Sequence, residues 1–179
     1  ALALCVGLAL RLFHYGYNHS LWLDEAMLAL NLIERSFAEL MQPLAYKQGA
    51  PILFLWVERL VVVFLGPSEY ALRLFPLAAG LASVFMMDRL ARKHAGPRGR
   101  FFAVALFAVM PALINYSAEV KQYGVDVFFA LLVLLAYERL VRKHSAALAR
   151  LGVAGLGVLA VFFSHPSVFV LAGVGVAAL

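Results

Sequence analysis

Two adjacent carboxylates, Asp24 and Glu25, stand just past the first apolar run of the chain and just ahead of an amphipathic segment. A bilayer surface disfavours ionised acids, so a pair held there is expected to serve chemistry, such as taking the proton of an attacking hydroxyl. The plainer alternative makes Asp24 an N-cap of the following helix and places Glu25 favourably in its first turn. Glu119, Lys121, Gln122 and Tyr123 lie between two later apolar runs, with Asp126 three residues further on, and His165 precedes Pro166 between the last two. A carboxylate can accept a proton and an ammonium can stabilise a departing phosphate. Lys121 is the first candidate cation and Lys47, beside Gln48, the second. Structural alternatives stand beside each: a Glu119–Lys121 loop ion pair, an Asp126–Lys121 pair, and an interfacial hydrogen-bonding role for His165 instead of metal ligation.

The elements that must position these groups follow from composition. Hydrophobic residues make up 64% of the 179 and charged residues 14%, with a mean hydropathy of +0.89, whereas soluble domains run at roughly 45–50% and 25%. This is the composition of an integral membrane protein. The chain opens at Ala1 without Met and stops at Leu179 inside an apolar run, so both ends look cut, as in the N-terminal portion of one longer transmembrane domain. Cys5 is alone and can form neither an intrachain disulfide nor a thiolate metal site.

The net charge of +5 does not point to nucleic acid. The cations cluster in two loops, Arg89, Arg92, Lys93, Arg98 and Arg100 in one and Arg139, Arg142, Lys143 and Arg150 in the other, without the aromatic interleaving of a strand-binding groove. Positive-inside topology explains them, and both loops are read as cytoplasmic. About six spanning helices then alternate in an all-α bundle, and residues 14–72 form one long external loop. Within it, the spacing of Ala26, Leu30, Ile33, Phe37 and Leu40 predicts an amphipathic helix over 24–41. A second, over 51–65, is too short for a span at ~22 Å and carries Glu58 and Arg59 at its centre. Both are expected to lie in the outer interface. Asp24, Glu25, Glu119 and His165 then share one membrane face.

The order of these motifs carries a resemblance: Trp22-Leu23-Asp24-Glu25, Gln48-Gly49-Ala50-Pro51, Ser68 to Pro76, a basic inner loop, Tyr116 to Tyr123, and Ser164-His165-Pro166. Together they resemble the N-terminal half of a C-type (GT-C) membrane glycosyltransferase, in the bacterial branch related to the family 39 protein mannosyltransferases and Rgt-type sugar transferases. The resemblance implies transfer of a sugar from a polyprenyl-phosphate carrier to a glycan, lipid or protein acceptor at the outer face of a bacterial cytoplasmic membrane. It maps the base or acceptor-orienting acid onto Asp24, with Glu25 its neighbour, and a second site acid onto Glu119. The sequence departs from the family where Glu119-Val120-Lys121-Gln122-Tyr123 replaces Glu-Ala-Arg-Pro-Tyr, exchanging a bidentate Arg for a point charge. It departs again at Ala50-Pro51-Ile52, where Pro-Pro-Leu is usual. A divalent metal is left open, with no ligand set defined. A transporter would call for broken helices and a repeat, and a flippase for a polar face through the bundle; a non-catalytic scaffold would have no need of acids in two loops.

Overall fold

The computed structural model of the chain describes residues 1–142 and 147–177. Lys143 lies outside the described residues, as do the side chains of Arg142 and Arg150. All regular structure among the described residues is helical: α1 (Leu2–Tyr17), α2 (Leu23–Glu34), α3 (Ile52–Leu65), α4 (Glu69–Leu72), α5 (Leu74–His94), α6 (Pro97–Val109), α7 (Pro111–Asn115), α8 (Tyr123–Arg142), α9 (Ala147–Phe163) and α10 (Ser167–Ala177).

The helices run alternately up and down. Arg73, which opens α5, donates from Nη1 to Asn18 Oδ1 at the C-terminal end of α1 (2.9 Å). At the other end of α5, Asp88 accepts two bonds from Arg100 of α6 (2.7 and 3.0 Å) and one from Arg92 (2.7 Å). Lys93 and His94 both reach Glu138 near the end of α8. One end of the bundle thus carries the first basic loop, and the start of α2 with Glu25 and the loop with Glu119 gather at the opposite end.

Only α5, with 21 residues, is both long and apolar enough among the described residues to cross a membrane, at about 31 Å. The expected count of about six is not reached on that measure. The 20 residues of α8 include Asp126, Glu138, Arg139 and Arg142, α1 and α10 are short, and α6 is broken. The break has a local cause. Pro111 lacks the N–H that would close on the carbonyl of Phe107, and Met110 leaves helical geometry at φ −64°, ψ 116°. Arg11 of α1 satisfies what the break exposes: its guanidinium donates to the carbonyls of Phe107 (3.3 Å), Ala108 (3.3 Å) and Gly7 (3.0 Å).

The surface elements also differ from expectation. The helix expected over 24–41 stops at Glu34, because Ser36 and Glu39 form a reciprocal capping box that starts a new 3-10 turn: Ser36 N–H and Oγ donate to Glu39 Oε2 (2.8 and 2.7 Å), and Glu39 N–H donates to Ser36 Oγ (3.3 Å). Asn31 then holds the following loop against α2 through both N–H and C=O of Ala45. The two charges of α3 do not pair with each other. Arg59 donates to the last carbonyls of α2, Leu32 (3.0 Å) and Ile33 (2.9 Å), while Glu58 is fully buried without a partner and burial pushes its carboxyl well above the ordinary glutamate range. Phe54, Phe75, Phe163 and Phe129 form a chain of ring contacts joining α3 to the bundle.

Replacing the cap tests it. Arg11→Met should lower stability by about 1–3 kcal/mol in thermal melts, and Pro111→Ala, which restores a donor for Phe107, should recover part of that loss in the double variant. Strictly additive effects would remove Arg11 from this role.

Candidate functional site

The site is built around Glu25. Trp22 is the N-cap of α2, in extended geometry at φ −65°, ψ 159°, so Asp24 is not the capping residue. Glu25, in the third helical position, reaches back to accept the Trp22 N–H at Oε2 (3.0 Å), and its Oε1 accepts the N–H of Val120 (2.8 Å). Arg73 Nη2 lies 3.9 Å from the same Oε1. Glu25 is 2% exposed and Arg73 0%. Arg73 is further held by Asn18, by His19 Nδ1 at 3.4 Å, and by Glu69 at 3.7 Å. A charge this deeply buried persists only where ionic and hydrogen-bonding partners surround it.

The loop carrying Glu119 is seated by small residues. A side chain at Gly80 of α5 would place its Cβ 2.3 Å from Ser117 Oγ, and one at Gly124 would fall 2.6 Å from the carbonyl of Tyr116. Only glycine permits this approach. The rings of Tyr116 and Tyr123 close the loop at 5.0 Å.

On that seat, Lys121 Nζ lies 3.3 Å from Asp24 Oδ2 and donates to Gln48 Oε1 at 2.8 Å. Asp24 is 59% exposed at its side chain and Lys121 9%, so the ammonium is fixed and the acid is open to a ligand. Glu119 is partly buried beside them. Burial above all, then the carboxylates of Glu25 and Asp24, raise its pKa, against smaller opposing effects of His19 and Lys121. One cation thus pairs with Asp24 and stands near Glu119.

The remaining residues named from sequence divide. Lys47 is exposed in a left-handed turn with Tyr46 (φ 56° and 59°) and makes no contact with Asp24. Gln122 keeps a buried side-chain oxygen without a partner. Asp126 does not pair with Lys121; it lies beside Ser164 and His165, and its Oδ1 is buried and unpartnered. His165 is exposed and lines a groove of about 610 Å³ with Gln48, Leu44, Ile52 and Phe162. Among the described residues no group of three His, Cys, Asp or Glu is arranged to hold a metal ion. Sequence reasoning overlooked Arg73. An arginine opening a long apolar helix, a few residues after an acid, was the available signal.

Asp24 and Lys121, with Glu119 beside them, are thus brought from distant parts of the chain to one end of a helical bundle. Residues 49–177 match the family described as dolichyl-phosphate-mannose-protein mannosyltransferase, and the chain belongs to that family of glycosyltransferases. No curated protein and no solved structure matches it. The matched region contains Glu119, Lys121, Asp126 and His165. Asp24, Glu25 and Gln48 precede it and are bonded into it through Val120 and Lys121.

Two substitutions separate framework from site. Glu25→Ala strands Arg73 and two backbone N–H groups, and should cost about 3–5 kcal/mol in thermal or denaturant melts. Glu119→Gln should not destabilise at neutral pH. A raised pKa means the folded state holds the proton more tightly, so Glu119 weakens the fold as pH climbs above its ordinary 4.5. The melting temperature of Glu119→Gln should equal or exceed that of the parent at neutral pH, and the difference should shrink below that value. A variant that melts lower at neutral pH would show that Glu119 is structural.

Proposed function

We propose that the chain is the N-terminal portion of a GT-C glycosyltransferase that moves a sugar from a polyprenyl-phosphate carrier to an acceptor hydroxyl at the outer face of a bacterial cytoplasmic membrane. The observation that carries this reading is the Asp24–Lys121 pair at 3.3 Å beside Glu119, at the end of the bundle opposite the basic loop, in a member of a glycosyltransferase family. In this reading α1, α5, the α6–α7 pair, α8, α9 and α10 span, and the basic end faces the cytoplasm. α2 and α3 lie in the outer interface. Both flanks of α3 belong to the acidic end: Gln48 bonds Lys121, and Glu69 approaches Arg73.

Asp24 accepts the proton of the acceptor hydroxyl as its oxygen bonds to the anomeric carbon. The bond from that carbon to the carrier phosphate breaks and its electron pair leaves with the phosphate oxygen. Lys121, oriented by Gln48, faces the charge that develops there. Glu119 orients the acceptor from the second loop. The apolar groove that begins at Gln48 and runs between the 40–52 loop and the end of α9 suits the isoprenoid part of the donor. Lys47, Gln122, Tyr123, Asp126 and His165 are kept as binding residues, His165 in the lining of the groove itself.

Asp24→Asn in the intact protein should reduce transfer about 100-fold or more while leaving expression and donor binding in place. Glu119→Gln should also slow it, and Glu39→Gln, in the exposed 3-10 turn, should not. Normal turnover by Asp24→Asn would remove Asp24 from the mechanism. The orientation has its own test: a cysteine at Gly96 should resist a membrane-impermeant thiol reagent in intact cells and one at Ser68 should react, and the reverse pattern would turn the protein over in the membrane.

A further inference from the structure

At the basic end the acids are largely buried, while Arg89 and Arg92 face outward. Asp88 is 6% exposed, held by the bidentate bonds of Arg100, and Glu138 is clasped between Lys93 and His94. Arg92, though it also bonds Asp88, keeps 63% of its side chain exposed. The outer face of α5 carries Phe85, Arg89, Arg92 and Lys93 at positions i, i+4, i+7 and i+8. A groove of about 610 Å³ runs along this face, lined by Phe85, Met86, Asp88, Arg89, Arg92 and Lys93. It has a direction. The exposed Phe85 and the adjoining Met86 lie toward the middle of the bundle and the three cations toward its end.

We infer that this groove binds an anionic phospholipid of the leaflet facing the basic end, its phosphate against Arg89, Arg92 and Lys93 and an acyl chain along Phe85 and Met86. The occupant follows from charge and polarity together. Four cations, Arg89, Arg92, Lys93 and Arg100, meet two largely buried carboxylates, Asp88 paired with Arg92 and Arg100 and Glu138 with Lys93, so the exposed Arg89 and Arg92 carry the positive excess offered to a ligand, and the apolar stretch continues from them in the direction that acyl chains take in a bilayer. A free anion would leave Phe85 and Met86 uncovered, and a zwitterionic lipid would forfeit the excess positive charge. The inference depends on the membrane reading of the bundle but on no step of the transfer reaction.

The test places the intact protein in nanodiscs of equimolar phosphatidylglycerol and phosphatidylcholine and measures the lipid retained after gentle detergent extraction by native mass spectrometry. Phosphatidylglycerol should be retained in preference. Arg89→Gln should reduce that preference roughly fivefold, the worth of one cation near an anionic surface, and Arg89→Lys should keep most of it. Arg98→Gln removes an equal charge from the same end but not from the groove, and should change the preference little. Equal retention of both lipids in the parent would overturn the site, and so would equal losses from Arg89→Gln and Arg98→Gln, which mean diffuse attraction alone. Because the readout is lipid retention, loss of transfer in Asp24→Asn and loss of lipid preference in Arg89→Gln are separable results.

Discussion

A single buried carboxylate holds the acidic end together. Glu25 accepts one backbone N–H from the start of its own helix and another from Val120, ninety-five residues away in sequence, with Arg73 close to the same oxygen. Removing an ionised carboxylate from water is costly, and the cost is offset only when hydrogen bonds and a countercharge surround it. Glu25 therefore forces three pieces of chain to meet: the start of α2, the start of α5 and the loop before α8. The same three pieces also meet in the apolar core through Leu28, Leu72 and Val120, and Glu25 adds the directional bonds that fix their register.

The side chains proposed to react are neighbours of that framework in sequence. Asp24 precedes Glu25, while Glu119 and Lys121 flank Val120, so one bond between Glu25 and Val120 brings an acid from one loop beside an acid and an ammonium from another. The division of labour follows from burial. Glu25 is sealed and fully engaged, whereas Asp24 remains 59% exposed with a single cation beside it. Of two adjacent acids, the buried one fixes the geometry and the open one is left for a ligand.

Much of this was legible in the sequence, and what was not has identifiable causes. The helical class, the boundaries of the second surface helix and the gathering of Asp24 with Glu119 and Lys121 all followed from hydrophobic runs and loop order. Pairing did not, because a loop lysine has several acids within reach of its flexible stem: Lys121 chose Asp24 and Gln48, leaving Asp126 to Ser164 and His165. The early end of α2 was present in the text as Ser36-x-x-Glu39 but was masked by an apolar periodicity that continues through Phe37 and Leu40. Arg73 and Arg11 were harder to see. Their roles depend on carbonyls and carboxylates distant in sequence, which no local pattern displays.

The Asp24–Lys121 pair also bears on the order of events in the proposed reaction. At 3.3 Å the ammonium of Lys121 is the countercharge of the Asp24 carboxylate. A donor phosphate arriving at Lys121 supplies a competing anion with more acceptor oxygens than a carboxylate. In the proposed reaction, as Lys121 turns its charge toward the phosphate, Asp24 is released from the ion pair and is free to face the acceptor hydroxyl. Gln48 helps keep the ammonium in place while its partner changes, since its side-chain oxygen holds Lys121 from the opposite loop at 2.8 Å. Lysine suits this exchange better than arginine: a point charge with three rotatable donors can be shared between a carboxylate and a phosphate, whereas a guanidinium locked in a bidentate fork with one would have to break both bonds to serve the other.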